Sequence, residues 1–132
     1  MRPTLLACTL FALACQSSPA EDLPAVSPGE SFRLAVGESA RLDLLGWRVT
    51  FVEVVGDSRC PKGVQCVWAG EATVRLEIEH DGETSRHEVS SLKERADVNG
   101  RTCHLRQVDP YPESSERIPP EDYSIELEFA AE

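Results

Sequence analysis

The chain has 132 residues, with 23 acidic against 13 basic side chains and a net charge of −10. Phosphate backbones and anionic lipid head groups repel such a chain, which argues against nucleic-acid binding and leaves a solvated acidic surface as the plain reading. The length suits one domain with a single modest core, and nothing repeats at a fixed period.

The first segment reads as an address. Met1-Arg2-Pro3-Thr4 is followed by a ten-residue apolar run, Leu5 to Ala14, then Cys15 and the polar Gln16-Ser17-Ser18-Pro19. A bilayer-spanning helix needs about 20 apolar residues, so this run fits a secretory signal instead. The order resembles a bacterial lipoprotein signal, in which small residues, here Ala12-Leu13-Ala14, precede a cysteine that is diacylated through sulfur. The resemblance implies a signal peptide over 1–14 and a mature chain starting at lipidated Cys15. Removing 14 of the 132 residues leaves 118, and losing Arg2 takes the net charge from −10 to −11. An ordinary signal cut before Cys15 is the plainer alternative and would leave a free terminal thiol. Two or more acyl chains anchor a protein stably, at about 0.8 kcal/mol per buried methylene. Gln16 at the second mature position, by the same resemblance, favours the outer membrane, with the domain in the periplasm or at the cell surface.

Residues 15–30 carry Pro19, Pro24 and Pro28 among serines and acids. Such a stretch resists regular structure and reads as a tether reaching at most about 50 Å.

From Ser31 the period becomes two. Phe32, Leu34 and Val36 alternate with polar or small residues before a turn at Gly37-Glu38. Leu42 and Leu44 follow. Trp47, Val49 and Phe51, with Val52, Val54 and Val55 beside them, predict a strand buried on both faces. Ala72 to Glu79 alternates strictly, which predicts one wet and one buried face. His80-Asp81-Gly82-Glu83 signals a hairpin, and Arg86 to Leu92 returns as a polar strand. Ser91 to Val98 is a helix candidate too short to stand alone. Asn99-Gly100 turns into a strand through Cys103 and Leu105, broken by Asp109-Pro110-Tyr111-Pro112. Tyr123, Ile125, Leu127 and Phe129 alternate in a last strand. The expected fold of residues 31–132 is all-β: a single small antiparallel β-sandwich, Ig-like in general architecture, or a partly open barrel.

The densest stretch is Asp57-Ser58-Arg59-Cys60-Pro61-Lys62-Gly63-Val64-Gln65-Cys66-Val67-Trp68-Ala69-Gly70-Glu71-Ala72. Pro61 and Gly63 supply a turn, and Asp57 can accept backbone amide bonds as an Asx-turn. Arg59 can pair with Asp57 or Glu71. A disulfide closing Cys60 to Cys66 would contribute about 2 kcal/mol. Trp68 has the bulk to cover such a bridge and seal the core, and Gly70 allows a close backbone approach. Asp57, Arg59, Lys62, Gln65 and Trp68 form a candidate recognition loop, because a loop already ordered loses less entropy on binding. The plainer reading is a stapled crossover that serves stability.

Asp57-Ser58-Arg59-Cys60-Pro61, then Val64, Cys66, Trp68, Gly70 and Ala72, resembles the signature of a family of uncharacterised exported bacterial proteins, many of them lipoproteins. Asp109-Pro110-Tyr111-Pro112 and Glu121-Asp122-Tyr123 resemble its second and third marks. The resemblance covers roughly residues 45–129 and implies an exported β domain with a Cys60–Cys66 bridge. It transfers no activity, and Cys103 is not part of the pattern.

No H-E-x-x-H, G-x-S-x-G or phosphate-cradling glycine loop occurs. Cys60, Cys66, Cys103 and His104 could supply metal ligands. Adjacent strand residues point to opposite faces, however, and an exported compartment favours oxidised thiols. No metal or cofactor is expected. The function expected is a non-enzymatic binding or accessory module, anchored by acyl chains on Cys15 and meeting a protein or glycan partner in the envelope. The alternative is an enzyme inhibitor or small enzyme using the 57–71 loop.

Overall fold

The computed structural model describes residues 22–131. Signal segment 1–14, Cys15 and the first part of the tether lie outside the described residues. Eight strands form two four-stranded antiparallel sheets. One sheet has the order β2-β3-β4-β5, with β2 at Ser39–Leu42, β3 at Trp47–Asp57, β4 at Ala72–His80 and β5 at Glu83–Ser90. The other has the order β1-β8-β7-β6, with β1 at Ser31–Ala35, β6 at Ala96–Val98, β7 at Arg101–Asp109 and β8 at Ser124–Phe129. The sheets do not close on each other, so the fold is a sandwich rather than a barrel.

Alternation builds the core. Val74, Leu76 and Ile78 of β4 and Ile125, Leu127 and Phe129 of β8 are all buried in one hydrophobic core between the sheets. Phe129 stacks on Phe32 and meets Trp47 edge-on, with ring centroids 6.3 Å and 5.8 Å away. Each large apolar side chain buried this way contributes about 1.5–3 kcal/mol. Cys103 faces the same core and is fully buried.

Three sequence expectations change. β3 is buried on one face only, through Trp47, Val49 and Phe51, while Val55 lies exposed. The two register shifts in its pairing with β4, between Phe51 and Glu53 and between Val54 and Gly56, break the alternation, and a two-layer fold leaves its other side to solvent. Ser91 to Val98 forms a turn and the short β6, because its few apolar residues are held by pairing to β7 rather than by a helical turn. Residues 24–29, read as tether, are bonded to the domain. Val26 donates to the Arg41 carbonyl at 2.8 Å, Arg41 to that of Pro24 at 2.9 Å, and Gly29 to that of Phe129 at 2.7 Å. That segment covers the outer edge of β2, which would otherwise present unpaired groups.

The two ends of the sandwich differ. Both ends of the described chain lie near Trp47, together with the tight turns at Gly46, Asp81-Gly82 and Asn99-Gly100. The long crossovers, 58–71 and 110–123, gather at the other end, where β3 and β7 stop at Asp57 and Asp109. Ten residue steps along β3 separate the two ends by about 33 Å.

Candidate functional site

At the crossover end the chain leaves β3 through an Asx-turn. The Arg59 amide donates to Asp57 Oδ1 at 3.2 Å, as the sequence predicts. The loop then runs as a ribbon. Ser58 donates to the Glu71 carbonyl at 2.8 Å and Cys60 to that of Ala69 at 3.3 Å. Gly70 is obligatory in this ribbon. Its φ is +66°, and a Cβ there would lie 1.7 Å from the Ser58 carbonyl oxygen. Cys60 and Cys66 are joined by a disulfide, with Cα atoms 5.9 Å apart.

Arg59 ties this loop to the second crossover. Its Nε donates to Asp57 Oδ1 at 2.8 Å and its Nη2 to Oδ2 at 2.7 Å. The same guanidinium donates to the carbonyls of Val108 at 2.6 Å and Pro110 at 2.9 Å and lies 5.3 Å from the Tyr111 ring centroid. Tyr123 donates its hydroxyl to Asp57 Oδ2 at 2.9 Å, and Tyr111 donates to the Cys60 carbonyl at 2.7 Å. The Lys62 amide meets the Pro112 carbonyl at 3.1 Å, and the Lys62 ammonium pairs with Glu113 at 2.9 Å. The three separate sequence marks, around Cys60, Pro110 and Tyr123, thus converge on one network. Its partners lie up to 66 residues apart, so spacing alone did not show that they meet.

The ion pair is enclosed, with side-chain exposures of 9 % for Arg59 and 10 % for Asp57. Burial alone would push the Asp57 carboxyl up. The bonds from the Arg59 side chain, the Tyr123 hydroxyl and the Arg59 amide outweigh it, and the carboxyl sits below its ordinary range. The bond to Asp57 raises the Arg59 guanidinium further. Burial first, then the bond to Asp57, pushes the Tyr123 hydroxyl up to about 12. These groups saturate one another and hold the two crossovers in register.

The other predicted loop residues lie outside the network. Gln65 is exposed. Trp68 does not cover the disulfide or seal the core. It is 82 % exposed, beside Val67 at 91 % and Val64 at 53 %. The loop is a narrow ribbon pinned at its base, so its tip stands away from any apolar surface that could receive the indole. Behind the base lies a groove of about 400 Å³ lined by Val54–Asp57 on one side and Pro112, Ser114–Ile118 and Pro120 on the other.

The residues weighed as metal ligands are not together. Cys60 and Cys66 are oxidised at the crossover end. Cys103 pairs across to Phe129 near the opposite end, and His104 Nδ1 donates outward to the Glu94 carbonyl at 2.6 Å. Among the described residues no group of three or more His, Cys, Asp or Glu could hold a metal ion. A serine–histidine–asparagine cluster that the sequence reading missed lies on β5 and the β6–β7 turn. His87 Nε2 sits 3.2 Å from Ser85 Oγ and 3.0 Å from Asn99 Oδ1. One ring nitrogen meets both neighbours, so the relay of nucleophile, base and orienting group is not formed. No family model, no curated protein and no solved structure matches this chain.

Proposed function

We propose that this protein is a lipid-anchored, non-enzymatic module of the bacterial envelope that presents its disulfide-held loop to a protein partner. The observation that carries the reading is the exposed Val64, Val67 and Trp68 on a loop whose base is fixed by a disulfide and by Arg59. Tryptophan is prominent among residues that dominate protein interfaces, and an ordered loop reduces the entropy lost on binding. The neighbours of Trp68 are valines rather than aromatic rings, which suits an apolar protein pocket better than a sugar-stacking platform. The described chain starts at the end of the sandwich opposite the loop.

A photo-crosslinking amino acid at Val67, in cells making the protein at native level, tests this. One discrete crosslinked protein is expected. It should disappear in a Trp68→Ala background and be absent when the crosslinker replaces Glu83 at the other end. Labelling of the same species from both ends, or of none, sinks the reading.

A further inference from the structure

β3 is eleven residues long and its neighbour β2 only four. Strand β2 pairs with Trp47 to Thr50, and the backbone of Gly37 and Glu38 exchanges bonds with Phe51. Beyond Phe51, among the described residues, no backbone hydrogen bond reaches β3 from that side. Val55 and Gly56 of this free edge are exposed, and the edge forms one wall of the 400 Å³ groove, opposite Ser114–Ile118. An unpaired strand edge offers a row of donors and acceptors to an incoming extended chain. The register shifts in β3 twist this edge.

Charge selects the occupant. Glu116 and Arg117 line the groove, and Glu121 and Asp122 follow its lining residue Pro120, so this crossover carries three acids against one cation with no ion pair to any of them among the described residues. The domain behind them is strongly acidic. Such a field draws in cationic segments and repels acidic ones.

We propose that the free edge of β3 at Val54–Asp57 is a strand-addition site for an extended, cationic segment of a partner protein. Val54, Pro112 and Ile118 would receive its apolar side chains and Glu116 a basic one, with Glu121 beside Pro120 adding to the negative field. This deepens the partner reading above and rests on it.

The test uses the mature chain with Cys15→Ser and a capped octapeptide, (Val-Lys)4, with binding followed by backbone amide NMR. Shifts are expected at Val54–Asp57 and Ser114–Ile118, with affinity at least tenfold above that for (Val-Glu)4 and weakened by salt. A strand bonds its neighbour through alternate residues. N-methylation of either all valine or all lysine amides should therefore abolish binding, while the other series stays within about threefold of the parent. Glu116→Lys combined with Glu121→Lys should weaken binding at least fivefold. Equal effects of the two N-methyl series, equal affinity for (Val-Glu)4, or shifts confined to other surfaces would overturn the proposal. Trp68→Ala should leave peptide affinity within twofold, so a negative crosslinking result at the loop tip and a negative peptide result are told apart.

Discussion

Arg59 and Asp57 meet through two parallel hydrogen bonds, 2.8 Å and 2.7 Å long, at the point where β3 hands the chain to the disulfide loop. The pair is local in sequence, yet the guanidinium spends its other donors on Val108 and Pro110, in a different sheet and crossover. A planar five-donor group can satisfy all of these partners at once, and an ammonium cannot.

Arg59→Ala should therefore destabilise the domain by about 3–5 kcal/mol, because it leaves the Asp57 carboxylate buried without its partner. Arg59→Lys should recover only part of that loss. Lys62→Ala, which breaks an exposed, solvent-screened pair with Glu113, should leave stability close to that of the native chain. Urea unfolding of the three variants is the measurement, and equal effects at positions 59 and 62 would contradict the clamp.

Acid should weaken the same contact. The folded-state pKa of Asp57 is depressed, so its stabilisation is complete above the unfolded value of about 3.9 and is lost as pH falls below that through the folded value. The stability gap between the native chain and Asp57→Asn should narrow below about pH 4 and stay constant from pH 5 to 7. A gap that does not change down to pH 2 would refute the assignment.

Gly70 and Gly63 both have positive φ, but only Gly70 lies against backbone. Gly63→Ala should cost about 1 kcal/mol for the left-handed conformation alone. Gly70→Ala should cost more, about 3 kcal/mol, since the strand-like ribbon must open to relieve a contact with Ser58. Thermal unfolding of the two variants separates strain from collision.

Burial pushes the Cys103 thiol up to about 12. With Cys15→Ser in the mature chain, iodoacetamide at pH 8 should add nothing to the folded protein. It should add one group after unfolding without reductant, and three after reduction. Rapid labelling of the folded chain would mean that Cys103 is reachable, and three labels without reductant would exclude the Cys60–Cys66 bridge.

The proposed anchor on Cys15 is tested on protein taken from its own membranes. Its intact mass should exceed that of the Cys15–Glu132 chain by acyl groups, and Cys15→Ser should move the protein to the soluble fraction. An unmodified mass would remove the tether from the functional reading.

The sequence by itself determined the main strands, their turns and an all-β class that left sandwich and partly open barrel both open, because alternation and left-handed glycines are local signals that tertiary packing here reinforces. The short β6 was not among them, since its pairing to β7 holds it. It also determined the Asx-turn at Asp57 and the need for Gly70. Only the tertiary structure decided which surfaces those strands leave open. Val55 lost its expected burial because register shifts and a short β2 strip one side of β3, and strand length relative to a neighbour cannot be judged from either strand alone. Trp68 was expected inside because its bulk and apolar character suit a core. It stands outside because the ribbon that carries it is pinned at its base to Val108, Pro110 and Tyr123, partners drawn from the other end of the chain.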